Sequence, residues 1–343
     1  MPLPKILCKA VTEEITSRDT ARLREAVARL SAAYRENREN RKGMHQSPAL
    51  ASDDLRAAYL AVRLPATYAA VEAALGWTRQ CLGREGCEPQ ATRTALDLGC
   101  GPGTALWAAC ELFPELEQAT AVERDGRMLD TARRMAAHAA HPALHNARWI
   151  EGDLCAVLPT CDGDSSGRWD GSKWDLVLCS YALNELSPAQ QKTLIARAWE
   201  RTAKLLVILE PGTRAGFANV LAARTQLLTA GAALAAPCPS TRACPMAASG
   251  DWCHFAARVE RTAEHRRLKQ ADLNYEDEKF SYVAFSRIDV APAAERIVRH
   301  PRIFSGYTHL NLCREGQVAQ VTVTRSQKED WRRLKRLDWG DRW

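Results

Sequence analysis

The chain has 343 residues, of which 46% are hydrophobic, and a formal net charge of +6, so it can bury a core without stapling cross-links. No apolar run reaches the roughly 20 residues that span a bilayer, and we expect no membrane partner. The first residues, MPLPKILCKAV, are too short for a secretory signal, so we expect a cytoplasmic protein. We also expect the protein to be monomeric when free.

Positive charge is concentrated at the two ends of the chain. Residues 1–45 contain ten Lys and Arg against six Asp and Glu, and residues 324–343 contain seven against four. Basic ends on a near-neutral middle indicate contact with a polyanion such as nucleic acid, although solvated helix faces would give the same pattern.

The first ninety residues read as helices. The span 12–42 carries an apolar stripe at helical spacing, formed by Leu23, Val27, Leu30 and Tyr34. A second helical span, 55–82, is interrupted at Pro65. Gly and Pro in CLGREGCEPQAT then end the pattern, so we divide the chain into an N-terminal helical region, 1–90, and a domain that starts at 91.

From residue 91 the pattern alternates between strand and helix. Five strands are predicted, over 94–100, 119–125, 147–153, 174–183 and 204–212. Such alternation predicts an α/β fold with a doubly wound parallel sheet. Two later strand candidates, 279–287 and 318–326, could close its edge, and 161–173 is expected as a surface loop. The domain is predicted to extend to 326 and to be followed by a basic C-terminal tail, 327–343.

The motif LDLGCGPGT covers the end of the first strand and the Gly-rich turn into which it runs. Gly99, Gly101 and Gly103 allow a tight turn and the close approach of a ligand to the backbone. The spacing is tighter than in dinucleotide folds, and Asp97 lies inside the strand end. This arrangement suits S-adenosylmethionine, which has no pyrophosphate but carries an ammonium group that needs a carboxylate.

Two further acids end the next two strands. Glu123 is placed to accept hydrogen bonds from ribose hydroxyls, and Asp153 could bind an adenine amino group. A Gly-rich turn can also be purely structural, but three strand-end acids in this order predict a cofactor site. The fourth strand ends in SYALNEL and lacks the Asn/Asp-Pro-Pro-aromatic motif of exocyclic amine methylation. Asn184 and Glu185 line the donor pocket or cap the next helix, and we assign no catalytic residue.

Three of the twelve cysteines fall within CPSTRACPMAASGDWC, in a Pro-broken insertion over 231–275. In a reducing compartment such thiols are buried, catalytic or metal-bound rather than disulfide-bonded. With Cys313 on a late hairpin, Cys238, Cys244 and Cys253 could surround one metal centre. The wide spacing favours an iron–sulfur cluster over zinc, and four unconnected thiols remain the alternative. His254 is a possible substitute ligand, and the basic, aromatic-rich segment 251–287 is suited to structured RNA.

Several stretches together resemble one known family. RLPATYAAV, LDLGCGPGT, SYALNEL, LEPGT, the CP…CPM…DWCHF block and YEDEKFSYV are similar to the methyltransferase-like family of small-ribosomal-subunit proteins of bacteria and mitochondria. Its members associate with the small subunit during its maturation. The resemblance covers the chain from about residue 55 to its end.

The resemblance implies a class I methyltransferase fold, an S-adenosylmethionine site and a [4Fe-4S] cluster with Cys238, Cys244, Cys253 and Cys313 as ligands. It implies the small ribosomal subunit and its rRNA as partners. We therefore expect an S-adenosylmethionine-dependent methyltransferase of small-subunit rRNA. The alternative is a non-catalytic assembly factor that uses the same fold as an RNA-binding clamp.

Overall fold

The structure is a computed structural model that describes residues 3–40, 52–82, 91–156, 173–288, 290 and 295–343. It begins with four helices, α1 (Lys5–Thr16), α2 (Thr20–Asn40), α3 (Asp53–Val62) and α4 (Leu64–Arg79). The single helix expected over 12–42 is therefore wrong. Asp19 accepts the Arg22 N–H at 2.9 Å, as an N-cap does, and starts a second helix there. The expected interruption near Pro65 is confirmed, since Pro65 lies in the first turn of α4.

The main sheet has eight strands: β1 (Thr94–Leu98), β2 (Gln118–Glu123), β3 (Arg148–Glu151), β4 (Trp174–Ser180), β5 (Thr202–Pro211), β6 (Ala233–Ala236), β7 (Phe255–Glu260) and β8 (Tyr275–Ser286). Their order is β3-β2-β1-β4-β5-β8-β6, with β7 also paired to β8. The first five strands are parallel, and β8 runs antiparallel to β5. The predicted doubly wound α/β sheet is confirmed.

Helices cover both faces of this sheet because successive strand residues point to opposite sides. In β5, Leu205, Val207 and Leu209 join one buried cluster, whereas Leu206 and Ile208 join the other. The first cluster also contains residues of α1 to α4 and of the first three of five later helices, and the second contains residues of the last two. These helices are α5 (Thr104–Leu112), α6 (Gly126–Ala136), α7 (Pro142–His145), α8 (Pro188–Glu200) and α9 (Arg214–Thr229).

Much of the predicted insertion 231–275 belongs to the main sheet. It contains β6, β7 and two short helices, α10 (Pro245–Ala248) and α11 (Ala263–Lys269). Both β6 and β7 pair with β8, so the segment between them, residues 237–254, leaves and rejoins the sheet along one strand. We call residues 237–254 the cysteine loop, because they carry three of the four predicted ligands.

Residues 295–324 form a second, smaller sheet. Its strands are β9 (Glu295–Ile297), β10 (Arg302–Ile303), β11 (Tyr307–Arg314) and β12 (Gln317–Thr324), all antiparallel to β11. The expectation that 318–326 closes the main sheet is therefore wrong. The alternating pattern predicts a strand correctly, but its apolar face packs on Ile297 and Leu334, in a separate core.

Residues 327–343 include a short helix, α12 (Lys328–Leu334), which packs on β12. Leu334 and Trp339 are buried, whereas Arg332, Arg333, Lys335 and Arg336 are exposed. None of the helices in the described ranges combines the length and apolar composition that a bilayer crossing requires. The predicted surface loop 161–173 lies outside the described residues, except for its last residue. The same is true of Cys87 and of Cys161, which belongs to this loop.

Candidate functional site

A pocket lies at the carboxyl ends of β1, β2 and β4, where open α/β sheets bind their ligands. The sequence-predicted residues that line it are Gly99, Gly101, Glu123, Asp153 and Glu185. The strand ends therefore bring together the glycine turn and two of the three predicted acids.

The turn after β1 is held by backbone hydrogen bonds and by glycine conformations. The N–H groups of Gly99 and Cys100 donate to the Val122 carbonyl at 2.9 and 3.0 Å. Gly101 has φ +52°, and a Cβ added there would meet no atom within 4 Å. Gly103 has φ +79°, and its Cβ would lie 2.8 Å from the Trp149 ring. Gly101 thus leaves space in the pocket, whereas Gly103 lets the loop pack tightly on β3.

Asp97 is fully buried and is the third predicted acid. Neither of its carboxylate oxygens has a hydrogen-bond partner in the described structure. Burial, together with the nearby charge of Glu123, raises its pKa to about 8. A buried polar group without a partner requires an explanation, and a cationic ligand would supply the missing partner.

Glu123 lines the pocket and also stabilises the glycine turn through a hydrogen bond. Its Oε2 accepts the Gly101 N–H at 2.9 Å, and its Oε1 accepts the N–H groups of Arg124 and Asp125 at 2.8 and 3.0 Å. Asp153 accepts the Cys155 N–H through Oδ1 at 2.8 Å. A carboxylate offers about four acceptor positions, so both acids retain capacity for a ligand.

The N-terminal helices supply pocket residues that the sequence analysis missed as a site. Tyr34 of α2 and Tyr59 of α3 line the pocket beside Tyr181. Arg63 donates two hydrogen bonds to Glu278, at 2.9 and 3.2 Å, and Tyr181 donates to the same carboxylate at 3.3 Å. The sequence analysis placed Tyr34 on the apolar face of a helix, but an apolar face does not show which surface or pocket it packs against.

The turn after β4 has its own buried acid. Glu210 accepts the Leu183 N–H at 3.0 Å and the Asn219 amide at 3.2 Å, and burial raises its pKa to about 8. Asn184 accepts a hydrogen bond from Asn219, whereas Glu185 pairs with Arg124 at 3.0 Å at the pocket. Neither caps α8, because Ser187 is its N-cap.

A second cavity brings the four predicted cysteines together. Cys238, Cys244 and Cys253 from the cysteine loop and Cys313 from β11 line the same cavity. Burial, reinforced by the other three cysteines, raises the pKa of Cys253 well above its ordinary range, and burial raises that of Cys313 to about 12. His254 does not line this cavity, since its ring stacks on Trp252 with centroids 5.0 Å apart.

Two buried arginines also line the cysteine cavity, beside the exposed Arg242. Arg296 is 1% exposed and donates to the carbonyls of Pro237 and Gly340, and its Nη2 has no partner among the described residues. Arg224 donates to the carbonyls of Ser240 and Arg242 at 2.8 and 2.7 Å, and its Nε likewise has none. A buried cation is costly unless an anion compensates it, so this cavity is electrostatically suited to a negatively charged occupant.

Within the described ranges, no group of three or more His, Cys, Asp or Glu side chains is arranged to hold a metal ion. The four cysteines share a cavity but do not form a ready-made single-ion site. The cluster ligands therefore stay a prediction, as do the individual residues of the cofactor pocket.

Comparison with solved structures concerns the fold. Magnesium protoporphyrin IX methyltransferase from Synechocystis PCC 6803 with bound SAM is 13% identical, with a TM-score of 0.38 over 65% of this chain and 80% of that one. A putative RNA methyltransferase, PH1948 from Pyrococcus horikoshii, is 10% identical, with a TM-score of 0.37 over 66% and 85%. The predicted α/β fold is confirmed by the sheet topology described above.

Comparison with sequences concerns the family. The human ribosome assembly protein METTL17, mitochondrial, is 25% identical over 313 residues, which are 84% of this chain and 62% of that protein. The chain thus spans less than two thirds of the length of this relative. The model of the family described as Mitochondrial small ribosomal subunit Rsm22 matches residues 54–343. This match covers most of the chain and confirms the predicted resemblance: the protein belongs to the Rsm22 family.

Proposed function

We propose that this protein binds S-adenosylmethionine and acts on small-subunit ribosomal RNA during ribosome maturation, as a methyltransferase-like factor. The observation that carries the cofactor proposal is Asp97, a buried carboxyl group without a partner, two residues before Gly99 of the glycine turn. Membership of the Rsm22 family supports the small ribosomal subunit as partner. The basic ends of the chain favour its RNA component.

The acids at the carboxyl ends of β1, β2 and β3 fit such a cofactor by their chemistry. Asp97 would attract an ammonium group, Glu123 retains acceptor capacity for ribose hydroxyls, and Asp153 could accept from an adenine amino group. The cofactor supplies an activated methyl group. The contribution of the protein is then alignment of that group with an acceptor, which needs no nucleophilic side chain.

One observation favours the alternative, a non-catalytic RNA-binding clamp. The pocket is walled by Tyr34 and Tyr59 from the N-terminal helices, beside the Arg63–Glu278 pair. An acceptor nucleotide would have to share this side of the pocket with them. In the clamp, S-adenosylmethionine would stabilise the docked helices without transferring its methyl group.

We further propose that the cysteine cavity holds a [4Fe-4S] cluster. Four thiolates and a [4Fe-4S] core carry a net negative charge, and Arg224 and Arg296 would compensate it with two cations that otherwise have incomplete partners. Cys238, Cys244, Cys253 and Cys313 are the proposed ligands. Zinc is the alternative occupant, since it also accepts four thiolates.

Two measurements separate these possibilities. Calorimetric titration with S-adenosylmethionine should give binding that Asp97→Asn weakens, whereas Asp272→Asn, at an exposed position, should leave it unchanged. Transfer of a labelled methyl group to immature small subunits would identify an enzyme. Binding without transfer would support the clamp, and no binding at all would refute the cofactor proposal.

A further inference from the structure

The outward face of the small sheet is uncovered at one end. Side chains of β11 and β12 alternate, and Leu310, Leu312 and Val323 pack inward on the core beneath α12. The opposite face carries Tyr307, His309, Asn311 and Cys313 of β11 and Val318, Gln320, Thr322 and Thr324 of β12. Met246 of the cysteine loop lines a groove with Asn311 and Val318, at the Cys313 end. The Tyr307 end has no such cover within the described chain.

Large apolar side chains lie exposed at this uncovered end. Phe304 is 43% exposed and Tyr307 38%. The rings of Phe304 and Tyr307 are stacked, with centroids 4.7 Å apart and planes at 17°, and His309 lies 5.0 Å from Tyr307. We call Phe304, Tyr307 and His309 the aromatic patch. Side chains of this size are rarely left in water together without a partner.

The charges around the aromatic patch favour an anionic partner. None of the eight residues on the outward face of β11 and β12 is acidic. Arg302 on β10 lies opposite His309 and donates to the neutral amide oxygen of Gln320 at 2.6 Å, so this bond leaves its charge uncompensated. Flat rings beside an uncompensated cation are the features that bind nucleobases and phosphates.

We propose that the aromatic patch stacks unpaired nucleotides of RNA, with Arg302 contacting a neighbouring phosphate. The proposal rests on the proposed RNA-binding function and names the kind of RNA that this face takes. The nucleotides must be unpaired, because base faces are hidden inside an A-form helix, whereas single strands and loops offer them to aromatic rings.

The test uses the full-length protein and two fluorescently labelled RNAs, a 12-nucleotide oligouridine and a duplex of about the same length, at one salt concentration. Phe304→Ala with Tyr307→Ala should weaken binding to oligouridine about tenfold, and binding to the duplex by less than about twofold. Tyr307→Phe should retain most of the affinity, because it keeps the ring. Ile303→Ala removes a neighbouring side chain that is 77% exposed but lies on the opposite face of the sheet, and it should change neither affinity.

A second readout does not depend on affinity. Oligouridine that carries a photoreactive 5-iodouracil should crosslink to Tyr307 or Phe304 of the wild-type protein. Equal affinities of the double variant and the wild type for oligouridine, or equal losses on both RNAs, would overturn the proposal. Unchanged oligouridine binding with impaired association to small subunits would assign the patch to a protein partner instead. A wild-type protein that binds neither RNA nor small subunits would refute the proposed function itself.

Discussion

Arg296 lies directly opposite Cys313 in the antiparallel pair of β9 and β11, so the buried guanidinium and the thiol share one face of the small sheet. No sequence pattern marks this pair, since arginine is among the residues least often buried. The pair places a buried cation in the wall of the cysteine cavity, where it needs an anion to compensate its charge.

We expect Arg296→Met to impair the proposed cluster site without removing a proposed ligand. Loss of one member of a buried charge pair costs about 3–5 kcal/mol. The variant, purified without oxygen, should therefore retain less iron, and the reduction potential of the remaining clusters should become more negative. Arg314→Gln, at an exposed position paired with Glu295, is the control and should match the wild type. Equal iron content and equal potential would remove the charge argument for the cluster.

We expect protein isolated without oxygen to contain about four iron atoms per chain. Replacement of Cys238, Cys244, Cys253 or Cys313 by Ser should lower the iron content and the thermal stability, because ligation contributes folding free energy. Cys110→Ser is the matched control, since Cys110 is buried in α5 and does not line the cavity. Stoichiometric zinc without iron would keep the ligands and reject the cluster, and no metal at all would leave four unconnected thiols.

We expect Gly101→Ala to fill the cofactor pocket. The new methyl group would meet no protein atom within 4 Å and would project into space that a ligand needs. Affinity for S-adenosylmethionine, measured by calorimetry, should fall about tenfold or more. Gly231→Ala is the control, because Gly231 also has positive φ and open space and lies outside the pocket. Both variants carry about 1–2 kcal/mol of left-handed strain, so a similar loss of binding in both would point to strain alone.

We expect Asp97 to make stability fall as the pH rises. Burial raises its pKa from an ordinary value of 3.8 to about 8, so between these values the folded chain holds a proton that the unfolded chain has released. The free energy of unfolding therefore decreases from about pH 4 to pH 8 and levels off above pH 8. Glu210 adds a contribution of the same sign.

Asp97→Asn should reduce this decrease, as measured by denaturant unfolding at pH 5.5 and pH 8 without cofactor. Asp272→Asn, an exposed carboxylate, is the control. A pH dependence of stability that is identical in wild type and Asp97→Asn would show that Asp97 does not carry the raised pKa.

We expect the exposed arginines of the C-terminal segment to contact phosphates. Deletion of 327–343 would remove the buried Leu334 and Trp339, so charge-neutral substitutions are the better test. Arg332→Gln with Arg336→Gln should reduce the slope of log affinity against log salt, for small-subunit RNA, by about 2. Arg93→Gln, an exposed arginine paired with Glu117, should leave the slope unchanged. An unaltered slope in the double variant would show that these cations are solvated.

The sequence alone predicts the parallel half of the main sheet well. β1 to β5 are short apolar runs between helical segments, and the glycine turn after β1 has few alternative conformations. β6 and β7 escape prediction because their neighbourhood is dominated by prolines, cysteines and charges. Their pairing with β8 depends on contacts far along the chain.

The same limit applies to the candidate sites. The alternating pattern of β12 predicts a strand but does not reveal which sheet it joins. The acids of the pocket can be predicted because they lie at the ends of predicted strands. Tyr34 and Tyr59 cannot, because they reach the pocket through tertiary packing of helices that precede the domain. No feature of the sequence marks Arg224 and Arg296 as buried, because the burial of an arginine depends on the whole fold.

Tyr34 and Tyr59 lie in the wall of the pocket, so ligand binding there and docking of the N-terminal helices affect each other. A ligand that contacts these rings holds α2 and α3 against the domain, and anything that holds these helices raises affinity for the ligand by the same factor. Amide hydrogens of α2 should therefore exchange more slowly when S-adenosylmethionine is present. In the proposed function, a ribosomal surface that holds the N-terminal helices in place would likewise raise the affinity for S-adenosylmethionine, so that docking on the small subunit would control cofactor occupancy.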